Sequence, residues 1–194
     1  MELVIATHNL HKVKEFERIL KPLNIKVITA DISEPEETGK TFMENAFIKA
    51  EAACKETGLP AVADDSGICV DALDGAPGIY SARYGGDLLD DRGRVRLLLF
   101  EMEHIPKEAR GAHFTSAICC VFPDGSKLEA EGRCYGEIGY SMDGDEGFGY
   151  DPIFLQDGVS FGKLSGEEKD KRSHRGKSLK LFAEKLSEHI KNKS

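Results

Sequence analysis

No segment of the sequence approaches the ~20 consecutive apolar residues that a membrane-spanning helix needs. The first seven residues, MELVIAT, are mostly apolar but have no basic flank, which predicts a core strand there and no signal peptide. Basic residues are also few, since 26 Lys and Arg face 34 Asp and Glu and the formal net charge is -8. Nucleic acids and anionic membranes attract basic surfaces, so this balance argues against both as partners.

Cysteines in a metal-binding or redox spacing are missing as well. The chain has five cysteines, an odd number, with no Cys-x-x-Cys pair and no Cys/His ligand spacing: Cys54, Cys69, Cys119, Cys120 and Cys134. Most of them lie in apolar or strand-like segments. We therefore expect reduced thiols in the core of a cytoplasmic protein.

A complete phosphate-binding P-loop is the third absence, although GKT at positions 39–41 is typical of the end of one. The first glycine of that motif would stand at position 34, which is Glu34. Pro35 would also remove one of the backbone N–H donors that a P-loop needs. The sequence therefore predicts no P-loop, and the acidic pair Glu36-Glu37 needs another explanation.

The sequence does contain alternating strand and helix patterns. The opening strand, helix and strand, at 3–6, 9–20 and 25–30, favour an α/β protein with a partly parallel sheet. Further helices are predicted at 41–56, 90–103 and 177–191, and further strands at 60–63, 68–72, 112–122 and 127–138. Thr41, Glu44 and Gly58 indicate a capping box and a C-cap for the second helix. With no repeat or linker, we expect one domain over 1–194 that has room for two lobes.

Two polar segments are rich in groups that bind phosphate. Thr7, Asn9 and Lys12 surround the start of the first predicted helix, where unpaired N–H groups and the helix dipole favour an anion. The basic segment KDKRSHRGK, at 169–177, precedes the last predicted helix and could bring several cations to a polyphosphate. An ordinary helix cap and a solvated basic surface remain the alternatives.

Two acidic segments could hold a divalent metal. Asp64 and Asp65 follow an apolar strand, and successive side chains on a strand point apart. One Asp could then face a metal or water while the other orients a neighbour. An acidic turn explains the pair equally well. Glu36 and Glu37 stand before a helix, where acidic residues are also favoured by the dipole alone.

The segment GFGYDP, at 147–152, places an aromatic residue between glycines. Glycine permits close approach of the backbone to a flat ligand, and Phe148 could stack on a base. A tight turn packed by aromatics is the alternative. The spacing excludes a calcium loop, which needs glycine at Phe148, and a dinucleotide fingerprint, which needs glycine at Pro152. Together the polar segments indicate metal-dependent chemistry on a nucleotide.

Five segments give the chain a specific resemblance to the inosine/xanthosine triphosphate pyrophosphatases. ATHNLHKVKEF, EETGKTFMENAFIKA, ADDSGICVDALDGAPGIYSARYGG, GFGYDPIF and EEKDKRSHRGKSL occur in the family order and span nearly the whole chain. The resemblance implies an α/β fold with an elongated mixed β-sheet flanked by helices, and two lobes with the active site in the cleft between them. It implies a homodimer that uses Mg²⁺ to cut ITP, dITP or XTP into the monophosphate and pyrophosphate, which cleanses the nucleotide pool.

The resemblance also implies the roles of individual residues. The triphosphate would be held by Thr7, His8, Asn9, Leu10, His11 and Lys12. Glu37 and Asp65 would bind magnesium, with Asp65 also the general base and Asp64 its support. Substrate contacts would further come from Ser66, from the base-pocket wall formed by Phe148, Gly149, Tyr150 and Asp151, and from Lys169, His174 and Arg175. Arg175 would pair with the 6-carbonyl of inosine or xanthine, which adenine lacks.

Two positions depart from the family pattern. Met142-Asp143 stands where many relatives have Pro-Arg, and Gly162-Lys163 where many have Ala-Glu. They affect the charge of the glycine loop and the rim near the basic segment. Two other functions remain open: a pyrophosphatase for other modified or canonical nucleotides, and a non-catalytic nucleotide-binding regulator.

Overall fold

The computed structural model describes residues 2–23, 25–30 and 32–193. Within these residues, seven strands form one sheet in the order β2-β1-β3-β4-β5-β6-β7. The strands are β1 Glu2–Ile5, β2 Lys26–Thr29, β3 Ala61–Val70, β4 Gly111–Val121, β5 Lys127–Ile138, β6 Phe154–Gln156 and β7 Val159–Ser160. The α-helices are α1 Leu10–Leu20, α2 Phe42–Thr57, α3 Asp91–Glu101, α4 Gly166–Arg172 and α5 His174–Lys193.

The sheet contains both strand directions. β1 pairs in parallel with β2 and with β3, whereas β6 pairs antiparallel with β5 and with β7. The predicted α/β class, with a mixed sheet flanked by helices, is confirmed. None of the helices in the described residues has the length and apolar character needed to cross a membrane.

The chain divides into two compact units. Unit 1 contains residues 1–65, 116–132 and 174–194, and unit 2 contains residues 66–115 and 133–173. Strands β3, β4 and β5 therefore each contribute residues to both units. The predicted single domain over 1–194 and the predicted cleft between lobes stay predictions.

Unit 1 is built in layers because side chains alternate along its strands. On β1, Leu3 and Ile5 pack in one cluster with the apolar faces of α1 and α5, which include Phe16 and Phe182. Val4 and Ala6 belong to a second cluster on the other side, with the small side chains Ala46, Ala50 and Ala53 of α2. Helices thus cover both faces of this part of the sheet.

The predicted caps set the ends of α2. The Thr41 side chain accepts the Glu44 N–H, and Gly58 closes the helix in the left-handed region at φ 68°. The Glu44 carboxylate accepts from the Lys40 N–H at 2.6 Å. That donor lies one residue before the position that the capping-box pattern predicted.

Strand β3 differs from its prediction. We expected one strand to end before Asp64 and a second to begin at Ile68, but β3 continues for ten residues through both aspartates. An acidic turn is therefore wrong. Asp64 and Asp65 are buried inside the strand. Buried carboxylates are tolerated there because cations from neighbouring helices compensate them.

The last helical segment also differs. α5 begins at His174, three residues earlier than predicted, and α4 was not predicted. Ser165 and Glu168 start α4 with a full capping box. The basic segment 169–177 therefore spans the end of α4 and the first turn of α5, with the two helices separated at Ser173.

The core of unit 2 is aromatic. Phe114 and Phe154 lie edge to face at 4.7 Å between ring centroids, and Phe154 and Phe161 do so at 4.9 Å. Ile68 and Val70 of β3 pack into the same cluster.

Candidate active site

Asp64 is the centre of a buried charge network in unit 1. Its Oδ2 lies 2.9 Å from Lys12 Nζ and 3.1 Å from Arg175 Nη2. Ser116 Oγ donates to the other oxygen, Oδ1, at 2.5 Å. Arg175 reaches a second carboxylate, because its Nη1 lies 2.7 Å from Glu15 Oε2. Helices α1 and α5 thus direct two cations to one aspartate.

The network keeps Asp64 ionised. Burial by itself raises the pKa of Asp64, but the charges of Arg175 and Lys12 and the Ser116 hydrogen bond together hold that pKa well below its usual value. Burial by itself lowers the pKa of Arg175, but the charges and hydrogen bonds of Asp64 and Glu15 raise it above its usual value. Lys12 is affected in the opposite direction, since burial lowers the pKa of its ammonium despite the attraction of Asp64.

Asp65 belongs to a second group of charges, on the α2 side of the strand. Lys49 Nζ lies 2.8 Å from Asp65 Oδ1 and 2.8 Å from Glu37 Oε1. Asn45 Nδ2 donates to Asp65 Oδ2 at 3.3 Å. Lys49 also donates to the backbone carbonyl of Asp64 at 3.3 Å. The alternation along β3 therefore separates the two aspartates, Asp64 toward α1 and α5 and Asp65 toward α2.

The surroundings of Asp65 favour its neutral form more than those of Asp64 do. Burial raises the pKa of Asp65, and the Glu37 charge raises it further, against the opposing charge of Lys49. Burial by itself lowers the pKa of the Lys49 ammonium, but the Asp65 and Glu37 carboxylates outweigh this effect and raise that pKa. Two adjacent carboxylates thus have pKa values shifted in opposite directions, a pattern found in acid–base sites.

Glu37 and Asp65 are the predicted metal ligands, and their carboxylates lie close to one another around a cation. Across the described residues, no group of three or more His, Cys, Asp or Glu side chains is placed to hold a metal ion. Glu37 and Asp65 nevertheless direct oxygens at one cation, the Lys49 ammonium, within 2.8 Å. Magnesium is commonly held by one or two carboxylates, with water and substrate phosphates completing its shell. The oxygen donors present fit such a site.

The junction between β1 and α1 combines a cap with one cation. Asn9 is the N-cap, and its side-chain oxygen accepts the N–H groups of His11 and Lys12. Thr7 Oγ1 accepts the Asn9 N–H at 3.1 Å. Asn9 therefore caps the helix, and its predicted contact with the triphosphate stays a prediction, whereas Lys12 reaches the Asp64 network.

Two other predicted phosphate contacts at this junction are on the surface. His8 pairs with exposed Glu34, and Leu10 is 71% exposed.

The glycine-flanked aromatic segment forms a separate cluster in unit 2. Asp151 is buried, and its Oδ2 accepts the Phe148 N–H at 2.8 Å and pairs with Lys169 Nζ at 2.6 Å. The Lys169 ammonium also lies over the Phe148 ring, 4.5 Å from its centroid. Tyr150, the residue before Asp151, is also buried, and its hydroxyl donates to the Ser81 carbonyl at 3.0 Å. The conformation of residues 147–152 is therefore stabilised by Asp151 within it and by Lys169 of the basic segment.

The other predicted site residues lie on β3, in the glycine-flanked segment and at the start of α5. Ser66 follows Asp65 on β3 and is half-buried, and Gly149 lies between Phe148 and Tyr150 at φ 58°. His174 and Arg175 are buried in the first turn of α5. The structure thus brings Lys12, Asp64 and Arg175 together in unit 1, and Phe148, Asp151 and Lys169 together in unit 2.

Several residues of the unit 1 site were not predicted from the sequence: Glu15, Asn45, Lys49, Ser116 and Ser178. Helical spacing contains a signal for some of them. Asn45 and Lys49 are four residues apart, as neighbours on one helix face are, and Glu15 follows Lys12 by three. Ser116 and Ser178 have no such signal, because their partners are distant in sequence.

Comparison with known proteins places the chain in a family. Residues 3–185 match the model of the Ham1 family. A protein of Rhodopseudomonas palustris named dITP/XTP pyrophosphatase is 48% identical, over 94% of each chain. A protein of that name from Haemophilus influenzae is 46% identical, over 95% of this chain and 98% of the relative.

Solved structures agree with the sequence matches. A HAM1 protein from Coxiella burnetii superposes with a TM-score of 0.89 at 39% identity, over 97% of this chain and 99% of that one. A Mycobacterium abscessus protein described as nucleoside-triphosphatase / dITP/XTP pyrophosphatase gives a TM-score of 0.75 at 42% identity, over 94% and 98%. The fold, the order of the five motifs and both kinds of match lead to one conclusion: this chain belongs to the Ham1 family.

Proposed function

We propose that the protein is a nucleoside-triphosphate pyrophosphatase that hydrolyses the non-canonical purine nucleotides dITP, XTP and ITP. It cuts between the α- and β-phosphates and releases the nucleoside monophosphate and pyrophosphate. The relatives named dITP/XTP pyrophosphatase, at 45–48% identity over nearly the whole chain, support this activity. Removal of deaminated purines from the nucleotide pool is the corresponding biological role.

The observation that carries the proposal is the set of cations around the two adjacent aspartates. Lys12, Lys49 and Arg175 each place a nitrogen within 3.1 Å of a carboxylate oxygen of Asp64 or Asp65. A triphosphate is a polyanion, and an acidic chain needs a local cationic site to bind it. Carboxylates among those cations add what hydrolysis needs, a base for water and ligands for a divalent metal.

In this proposal Asp65 is the general base. Its carboxylate takes a proton from the attacking water, and the Asn45 amide fixes its orientation. The upward shift of its pKa brings that pKa closer to neutrality, which makes proton transfer to it easier.

Asp64 has a different role because it stays ionised. It holds Lys12, which uses two of its three donors on Asp64 atoms within the described part of the chain. The remaining donor of Lys12 is proposed to bind a phosphate oxygen. Arg175 forms ion pairs with both Asp64 and Glu15, and it thereby neutralises and orients the Asp64 carboxylate. Its predicted contact with the purine 6-carbonyl stays a prediction.

Magnesium is the proposed cofactor, with Glu37 and Asp65 as its protein ligands. Bound there, it would supply positive charge to the phosphate oxygens and lower the pKa of a coordinated water. In the structure, Lys49 Nζ lies 2.8 Å from a carboxylate oxygen of Glu37 and 2.8 Å from one of Asp65. We propose that the ammonium turns toward a phosphate oxygen when the metal binds, since both cations cannot share one position.

Recognition of the base is assigned to the Phe148 segment. The Lys169 ammonium lies over the Phe148 ring, and this ring is proposed to stack on the purine. Inosine and xanthosine offer an acceptor at the 6-position where adenosine offers a donor. A site of buried donors discriminates strongly between such groups.

The decisive experiment is pyrophosphate release with and without Mg²⁺, measured for ITP, dITP, XTP, GTP, dUTP and dTTP. We expect metal-dependent turnover that is much faster for the first three. Equal rates for ITP and GTP, or faster hydrolysis of a pyrimidine nucleotide, would contradict the proposed substrate class. Tight nucleotide binding without pyrophosphate release would identify a non-catalytic regulator instead.

A cytoplasmic homodimer is the proposed state of the protein. None of the five cysteines, which all lie in the described residues, forms a disulfide, and this supports a reducing compartment. Exposed Leu88 and Phe100 in unit 2 are candidates for burial between two copies. Light scattering coupled to size-exclusion chromatography measures the mass, and a value near the 21.3 kDa of one chain would contradict the dimer.

A further inference from the structure

Gly132, on β5 in unit 1, touches the backbone of another element. A Cβ atom added at Gly132 would lie less than 3.0 Å from the His174 carbonyl oxygen and from the Ser178 N–H nitrogen, and 3.0 Å from Lys177 Cβ. Real Cβ atoms do not approach backbone atoms so closely, so something would have to move. Strand and helix are therefore in direct backbone contact at the first turn of α5.

This turn holds Asp64 by two routes. Arg175 contacts Asp64 Oδ2 directly through Nε at 3.3 Å and Nη2 at 3.1 Å. Ser178 acts through Ser116, since the two hydroxyls lie 2.7 Å apart and Ser116 donates to Asp64 Oδ1. The two routes reach both oxygens of the carboxylate. Any displacement of the turn would disturb both together.

We propose that Gly132 is a positioning residue for the reaction, because the absence of its side chain sets the distance between the first turn of α5 and Asp64. The inference rests on the proposed function, in which Asp64 holds Lys12 for the substrate. A methyl group at position 132 shifts the turn outward, and Arg175 and Ser178 then lose their optimal contacts with the network. Misplacement of catalytic groups by about 1 Å can cost about 10²-fold in rate.

Gly132→Ala is tested beside Gly136→Ala, a control on the same strand. A Cβ at Gly136 would be similarly crowded, and the three atoms nearest to it belong to the Leu155 carbonyl and the Phe154 ring, which are outside the proposed site. We expect both variants to melt at a lower temperature. Only Gly132→Ala should lower kcat, by about 10-fold or more. Its KM should change less than its kcat, because the Phe148 segment is untouched.

The assay is run well below both melting temperatures, with the folded fraction checked by circular dichroism. Equal kcat values for the two folded variants would overturn the proposal and show that Gly132 only supports packing. If Gly132→Ala does not fold, Ser178→Ala tests the same route without added volume. That variant should lose kcat with a small change in melting temperature, and a wild-type kcat would overturn the proposal.

Failure of the proposed function has a different signature. If the wild-type protein releases no pyrophosphate from any nucleotide, the function is wrong whatever Gly132 does. A crystal structure of Gly132→Ala then still decides the positional claim. An Arg175–Asp64 pair unchanged from 3.1 Å would overturn it, and a lengthened pair would support it.

Discussion

Replacement of Asp64 by asparagine tests the buried charge network most directly. Asp64→Asn keeps the shape of the side chain but removes the charge that Lys12 and Arg175 share. Leaving one member of a buried ion pair uncompensated destabilises proteins by about 3–5 kcal/mol. We expect a loss in this range at pH 7, because Arg175 keeps Glu15 whereas Lys12, among the described residues, keeps only the backbone carbonyl of residue 64. In a chain of this size, the melting temperature should fall by about 6–20 °C.

The pH dependence of this effect has a definite sign. The pKa of Asp64 is held well below its ordinary 3.8 in the folded protein. A lowered pKa contributes stability that is fully present above 3.8 and is lost as the pH falls through the folded value. The gap between wild type and Asp64→Asn should therefore be constant from pH 7 to about 5 and shrink below 3.8.

Thermal unfolding followed by circular dichroism measures both effects. Asp143→Asn is the matched control, because its partner Lys163 and Asp143 itself are about half exposed and such pairs contribute little. An Asp64→Asn melting temperature within about 2 °C of wild type at pH 7 would refute the reasoning. So would a gap that persists unchanged below pH 3.8.

Four further predictions concern other groups. Asp65→Asn should nearly abolish pyrophosphate release while the circular dichroism spectrum is retained, and near-normal turnover would contradict its role as base. Lys49→Met leaves the carboxylates of Glu37 and Asp65 without their shared cation, so added Mg²⁺ should raise its melting temperature more than that of wild type, and an equal rise would count against the metal ligands. Arg110 donates four hydrogen bonds to backbone carbonyls in unit 2, so Arg110→Met should reduce the free energy of unfolding by about 3 kcal/mol or more in a urea titration, and a loss under about 1 kcal/mol would disagree. Burial raises the pKa of Cys119 to about 12, so at pH 8.5 iodoacetamide should modify this thiol far more slowly in the native protein than in urea. Mass spectrometry measures the two rates, and equal rates would exclude a buried neutral thiol.

Local signals predicted the elements that depend on neighbours in the chain. Thr41 and Gly58 end α2 as expected, because a cap is satisfied by backbone groups within a few residues. The start of α5 was predicted three residues too late. The break between α4 and α5 at Ser173 depends on packing, and no glycine or proline marks it in the sequence.

The candidate site divides along the same line. Asp64 and Asp65 were found because two adjacent carboxylates are unusual at the end of an apolar strand, and Glu37 was assigned through the family resemblance. Their partners were not found. Lys49 and Glu15 are ordinary charged residues on helices, where most such residues are solvated. Only the packing of α2 on the strand and of α1 beside α5 makes them part of a network.

Taken alone, the sequence determined the α/β class, the two acidic segments and the resemblance to a nucleotide pyrophosphatase family, because each is written in local pattern or motif order. Tertiary structure decided what each charge does. It placed Asp64 and Asp65 on opposite faces of one continuous strand, with one pKa lowered by two cations and the other raised by burial. That separation depends on which helices pack on each face, and contacts between residues up to 160 positions apart are not encoded in any local window.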